Sequence, residues 1–252
     1  MSNPVNEIAC TLIARDLSRQ FGDYAAVQSI EITLKQGEVL GLLGPNGAGK
    51  STTMQMLSGN LAPSRGSIQI CGVDLLDHPE KAKQYIGYLP EIPPLYKELT
   101  VDEYLQFVAK LHGMESSKIL ASVDRVKGRC GLNHVGKKLI GVLSKGFQQR
   151  VGIAQAIIHE PKVIILDEPS VGLDPNQMKE IRDLIRELGR SASIILSTHL
   201  LSEVETICDR VQILNKGGVV YSATLSDLKQ KRINLEQIFE QFTLKNELIG
   251  DC

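Results

Sequence analysis

The run Gly44-Pro45-Asn46-Gly47-Ala48-Gly49-Lys50-Ser51 follows the spacing G-x-x-x-x-G-K-[ST], between an apolar stretch and a helical one. Glycines at these places let backbone N–H groups turn inward around phosphate oxygens. The following helix adds the positive end of its dipole, Lys50 a fixed charge, and Ser51 a hydroxyl for Mg²⁺. Thr52 extends the same surface. The chemistry these residues suit is the binding of a nucleoside triphosphate with Mg²⁺. A dinucleotide fits worse, because Gly44, Gly47 and Gly49 lack the G-x-G-x-x-G spacing. Farther along, the apolar run Val163 to Leu166 ends in Asp167 and Glu168. An acidic strand end is common alone, and gains weight here from the phosphate loop. Asp167 then orients a Mg²⁺ shell while Glu168 points toward an attacking water. His199 leaves a third apolar segment within Ser197-Thr198-His199, where it can hydrogen-bond a γ-phosphate.

These residues need particular elements beneath them. Glu38–Leu43 reads as a buried strand, followed after the loop by a helix carrying Met54, Leu57 and Leu61 that Gly59 and Pro63 terminate. Lys162–Leu166 and Ser193–Leu196 are further buried strands, and Pro175–Gly189 places Met178, Ile181, Leu184, Ile185 and Leu188 on one helical face. Strands alternating with such helices predict an α/β fold with a largely parallel sheet. Ser29–Leu34 and Ser67–Cys71 read as antiparallel strands at that sheet's edge. From Leu89 to Ala156 the pattern is helical, opened by the capping box Thr100-Val101-Asp102-Glu103 before a helix burying Leu105, Val108 and Leu111. Val211–Leu214 and Val219–Ser222 flank Lys216-Gly217-Gly218 as a hairpin, and Leu235, Ile238, Phe239 and Phe242 predict a docking helix in the tail.

Bulk properties narrow the class without choosing a partner. The 252 residues hold 28 Lys+Arg against 29 Asp+Glu, so the electrostatic footprint of a nucleic-acid binder is missing and no nucleic acid is expected. The short run Lys229-Gln230-Lys231-Arg232 reads as a solvated face. No apolar run approaches the ~18 residues of a membrane span. The first residues lack a basic start followed by an apolar stretch, so a cytosolic protein without a secretory signal is expected. Five widely spaced cysteines without a C-x-x-C pair predict reduced thiols rather than a disulfide framework or zinc ribbon.

Together these motifs resemble the ATP-binding subunit of ATP-binding-cassette (ABC) transporters. Leu143-Ser144-Lys145-Gly146-Phe147-Gln148-Gln149-Arg150 is similar to the family's LSGGQ signature, with Lys145 and Phe147 departing from its commonest form. Leu173-Asp174 resembles the D-loop, His199 the switch histidine and Phe21 the aromatic residue that stacks on adenine. The resemblance runs from about Leu12 to Gly217. It implies a phosphate-loop NTPase (RecA-like) core with an antiparallel β subdomain and an inserted helical signature subdomain. The expected ATPase domain spans 8–222, with the helical insert at about 92–158 and a helical tail at 223–252. It further implies Mg²⁺-dependent ATP hydrolysis by a head-to-tail dimer, homomeric or heteromeric. Each ATP would lie between one subunit's phosphate loop and the other's Ser144 and Gly146. Lys50, Glu168 and His199 are then catalytic. Ser51, Asp167 and Glu91 surround the metal, with Glu91 standing where most members have Gln.

The stretch from Gly87 through Glu91 to Glu103 resembles the branch that exports drugs, lipids or polysaccharides and includes the gliding-motility component. A separate membrane permease, contacted near Leu95, Tyr96, Tyr104 and Phe107, would be the partner, with about half of those four in the core and the chain on the cytoplasmic face of the membrane. The competing reading is a soluble ABC ATPase of translation, DNA repair or cluster assembly. The single cassette and lack of sustained heptads weigh against the first two. An inactive nucleotide-binding module is disfavoured by the complete set Lys50, Ser51, Asp167, Glu168 and His199.

Overall fold

The computed structural model describes residues 10–243. In chain order its first half comprises β1 (Cys10–Phe21), β2 (Tyr24–Lys35), β3 (Val39–Leu43), α1 (Lys50–Leu57), β4 (Arg65–Ile70), β5 (Val73–Asp74), α2 (Pro79–Lys83), β6 (Ile86–Leu89), α3 (Val101–Leu111) and α4 (Ser116–Cys130). There follow α5 (Lys145–Ile157), β7 (Val163–Asp167), α6 (Pro175–Gly189), β8 (Ser193–Thr198), α7 (Leu201–Ile207), β9 (Arg210–Asn215), β10 (Gly218–Thr224), α8 (Leu225–Gln230) and α9 (Leu235–Thr243). Six strands form one sheet in the order β10-β9-β3-β8-β7-β6, parallel except for the β9–β10 hairpin. The antiparallel strands form a second sheet, β2-β1-β4-β5, rather than the edge of the first. The edge expectation fails because β1 and β2 run 12 residues each and satisfy each other's backbone groups.

The continuous apolar strands are explained by two separate cores. Leu40 and Leu42 of β3, Val163 and Ile165 of β7, and Ile195 of β8 face α1 and the antiparallel sheet. Their neighbours Val39, Leu43, Ile164, Leu166, Ile194 and Leu196 face the remaining helices. Successive side chains point to opposite sides of a strand, so only a strand covered on both faces can be apolar throughout. The helix α1 ends at Leu57, which leaves Leu61 beyond it, partly buried against the first of these cores.

Between β6 and β7, the helix α3 opens with both bonds of the capping box: the Glu103 amide donates to Thr100 Oγ1 and the Thr100 amide to Glu103 Oε2. Its buried stripe is Val101, Tyr104, Leu105, Val108 and Ala109. Leu111, expected in the core, is 70% exposed. It lies four residues after Phe107, on the adjoining face of the helix, where no element covers it. At the other end of the described residues β10 continues to Thr224, past the expected strand end at Ser222, because its hairpin pairing runs from Gly218 to Thr224. Among the described residues the tail contains two short helices. Leu225 and Leu228 of α8 and Leu235 and Ile238 of α9 are buried. Lys229, Gln230, Lys231 and Arg232 are exposed. Cys130 and Cys208 are buried and Cys71 partly so, all three as free thiols, and Cys10 is partly buried, whereas Cys252 and the N-terminal start lie outside the described residues.

His112, capping α3, stacks on His159, just after α5, with ring centroids 3.8 Å apart, and the His159 ring also bonds the Ile86 carbonyl of β6 at 2.9 Å. This places two imidazoles where the helical segment meets the parallel sheet. Burial lowers the affinity of both for protons, and holds the His159 pKa down at about 4. The native state therefore binds fewer protons than the unfolded chain between pH 6.5 and about 4, and stability falls as pH drops through that window. In urea titrations at pH 7 and pH 5, His159→Gln should lose less stability on acidification than the parent protein, by about 1–2 kcal/mol. Equal losses would remove His159 as the cause.

Candidate nucleotide site

The phosphate loop leaves the C-terminal end of β3 and enters α1 at Gly49, whose φ of 99° is accessible to glycine at little cost. A side chain at Gly49 would also stand 2.6 Å from the Ala26 carbonyl, and one at Gly44 2.5 Å from the Leu214 carbonyl. Glycine is required at both places because neighbouring backbone occupies the Cβ position. Lys50, 6% exposed, donates to the Gly44 and Pro45 carbonyls at 2.8 and 3.2 Å, which holds its ammonium within the curl of the loop.

Opposite the loop, the ends of β7 and β8 supply the acidic and imidazole groups. Glu168 Oε1 lies 3.4 Å from Lys50 Nζ, and its other oxygen meets His199 Nδ1 at 2.9 Å. Glu168 also has φ of 48°, a left-handed conformation that a non-glycine residue keeps only where its surroundings hold it. Those surroundings are Ser197, whose carbonyl and hydroxyl both accept from the Glu168 amide. The Ser197 hydroxyl donates in turn to Asp167 Oδ1 at 2.6 Å, and Ser51 Oγ donates to the same oxygen at 3.2 Å. Burial pushes the Asp167 pKa up, the two hydroxyls oppose that shift, and the negative charges of Glu168 and Glu91 add to it.

One cleft of about 460 Å³ gathers Phe21, Asn46, Gly47, Gly49, Lys50, Ser51, Thr52, Glu91, Glu168 and His199 on its walls. Asp167 lies beneath Ser51. Pro45 and Ala48 face the rear of the loop instead, in a separate cleft. Phe21 is 46% exposed, with the Arg19 guanidinium 4.6 Å above its ring. Ser144 and Gly146 are not among the residues lining the cleft. Ser144 caps α5 by accepting from the Phe147 amide, and Gly146 is buried against Gln177. Sequence reasoning missed Tyr24, Ala26 and Val171 on the cleft wall, and Ser197 behind the carboxylates. Ser197 carried a signal, its place two residues before His199 at the end of a strand.

The oxygen donors Ser51, Asp167 and Glu91 suit a hard cation such as Mg²⁺. Among the described residues no group of three or more His, Cys, Asp or Glu could hold a metal alone.

Comparison with known proteins decides the family. The family model described as ABC transporter matches residues 27–171. This chain belongs to the ABC transporter family. The cassette is 38% identical over 221 residues to the uncharacterized ABC transporter ATP-binding protein YxlF of Bacillus subtilis (strain 168), covering 88% of this chain and 73% of the relative. It is 39% identical over 218 residues to the bacitracin transport ATP-binding protein BcrA of Bacillus licheniformis, covering 86% of this chain and 70% of that one. A solved ATP-binding subunit of an ABC transporter superposes with a TM-score of 0.81 at 33% identity, over 92% of this chain and 98% of its own. This cassette is thus an ATP-binding, ATP-hydrolysing transporter subunit.

One Ser197 hydroxyl holds both acidic residues of the cassette, Asp167 by its carboxylate and Glu168 by its backbone amide. Hydrogen bonds to charged groups contribute about 1.5–3 kcal/mol, so Ser197→Ala should lower kcat/KM for ATP hydrolysis by about 10- to 100-fold while the fold persists. A loss below about threefold in a steady-state phosphate-release assay would rule out this positioning role.

Proposed function

We propose that this cassette binds Mg²⁺ and ATP in the cleft between the phosphate loop and the ends of β7 and β8, and that a second ATP-binding subunit closes over the nucleotide. The observation that carries the reading is the single cluster of Lys50, Glu168, His199, Asp167 and Ser51. When bound, Mg²⁺ neutralises phosphate charge, and Ser51, Asp167 and Glu91 are the residues that would hold it. Lys50 binds the terminal phosphates as a fixed positive charge. Glu168 orients and deprotonates the attacking water, and His199 holds its carboxylate in place. Phe21 offers an aromatic face to the base.

Ser144 and Gly146 do not reach their own cleft. This supports a head-to-tail dimer, homomeric or heteromeric, in which each signature covers the partner's nucleotide. The start of α5 presents its dipole there to an anion. Loss of the phosphate contact on hydrolysis opens the pair.

The same reading assigns the stroke to a membrane permease on a separate chain, at the cytoplasmic face of the bilayer. Among the described residues no helix is long and apolar enough to cross a membrane. Tyr96 is 52% and Phe107 37% exposed, their rings 5.6 Å apart, while Tyr104 is buried and Leu95 half-buried. The paired rings of Tyr96 and Phe107, with Ile92 and Leu111 exposed on the same helical segment, offer apolar surface of the kind that marks a partner site. Export is favoured by the resemblance of the stretch from Gly87 to Glu103 to the exporting branch of the family.

Glu168→Gln should retain ATP binding within a fewfold and lose about 10²- to 10⁴-fold in hydrolysis rate, read by phosphate release. Near-normal turnover would exclude Glu168 as the base. Captured with ATP from detergent-solubilised native membranes, the same variant should bring down a polytopic membrane protein in stoichiometric amount. Recovery of soluble partners alone would overturn the permease assignment.

A further inference from the structure

The β9–β10 turn stands directly behind the phosphate loop. Lys216 and Gly217 have φ of 48° and 80°, as a two-residue hairpin turn of the type favoured by strand twist requires. The Gly217 amide donates to the Ala48 carbonyl of the phosphate loop at 3.1 Å. Gln28 of β2 clamps the turn from the other side, its amide donating to the Gly217 carbonyl at 2.8 Å and its Nε2 to the Lys216 carbonyl at 3.1 Å. The loop's own glycines press on the same hairpin, Gly44 against the Leu214 carbonyl and Gly49 toward Gly217 Cα.

Asn215, the residue before the turn, points the other way. It is 8% exposed, and its Nδ2 donates to the Phe242 carbonyl in the last turn of α9 at 2.8 Å. A buried side-chain donor bonded to a helix carbonyl fixes where that turn of the helix sits. Leu235 and Ile238 bury the apolar side of α9, and Phe242 packs on Tyr221 of β10 with centroids 5.6 Å apart. The phosphate loop and α9 line a common cleft of about 540 Å³, to which Pro45 to Ala48 contribute on one side and Phe239 and Thr243 on the other, and Asn215 and Lys216 connect the two. With a cleft at its rear, the loop depends on the turn for its position.

We propose that Asn215 is a positioning residue for the phosphate loop, tying the end of α9 to the β9–β10 turn that holds the Ala48 carbonyl, so that docking of α9 sets nucleotide affinity. The proposal rests on the nucleotide site described above. It makes the tail helix a part of ATP binding although it contributes no residue to the cleft wall. It also gives the hairpin Lys216-Gly217-Gly218 a role beyond joining two strands.

The test is the affinity of the full chain for a fluorescent N-methylanthraniloyl ATP with Mg²⁺, in the parent protein, Asn215→Leu, Ile238→Ala and the double variant. Each single change should weaken binding about three- to tenfold, and the double variant should bind no worse than the weaker single one, since both break the same link. The rate of hydrolysis at saturating ATP should stay within about twofold, giving a change in KM without one in kcat. Binding within about twofold of the parent in a folded Asn215→Leu protein, or effects that multiply in the double variant, would overturn the proposal. Should Asn215→Leu fail to fold, hydrogen exchange at the Gly217 amide decides: faster exchange in Ile238→Ala supports the link and an unchanged rate refutes it. Parent protein that does not bind the probe, or Lys50→Ala that binds it equally well, would instead refute the nucleotide site itself.

Discussion

The structure is organised around a pair of opposite charges buried beyond the C-terminal ends of the central strands of a sheet. Lys50 and Glu168 are both less than a tenth exposed and lie 3.4 Å apart. Each would be costly to bury alone, and neither gives the other enough partners. The remaining bonds come from backbone and neighbours: the Gly44 and Pro45 carbonyls for the ammonium, the His199 ring for the carboxylate. Charges held this way belong to a reaction that needs them, because a well-packed apolar pair would serve stability as well or better.

Holding those groups in place is the work of the parallel sheet. The register of β3 on β8 and of β8 on β7 brings the ends of three strands to one level, so that Leu43, Thr198 and Asp167 finish near each other and the loops beyond them share a cleft. Side chains on both faces of these strands are buried in separate cores, which removes the freedom of any one strand to slip. Backbone strain is then tolerated where it is useful. The left-handed Glu168 is fixed by Ser197, and the same hydroxyl orients Asp167, so one residue couples the two acids.

The residues proposed to complete a partner's nucleotide site lie on another surface. Ser144 and Gly146 stand at the start of α5, a helix reached only after the chain has passed from β6 through α3 and α4. In the proposed head-to-tail dimer, that arrangement makes assembly a condition of chemistry rather than an addition to it. The exposed rings of Tyr96 and Phe107 on the same helical segment give it a second face available to a different partner.

The sequence by itself determined the features that depend on near neighbours along the chain. Phosphate-loop glycines, the Thr100–Glu103 capping box, the buried strands and the hairpin at Lys216-Gly217 all follow from backbone sterics, local hydrogen bonds or periodicity over a few residues. The approximate course of α/β elements was legible for the same reason. Only tertiary structure decided matters that join distant segments. Strand spacing could not say whether β1, β2 and β4 joined the parallel sheet, because pairing is settled by which edges are free once the core has formed. Leu111 fits a helical stripe by type, but its exposure depends on what lies opposite. Tyr24 and Asn215 have ordinary residue types and carry no motif, and Ser197 was marked only by its place before His199. Their roles arise from contacts with Asp167, the cleft and α9 that lie up to dozens of residues away, and proximity of that kind exists only after the chain has folded.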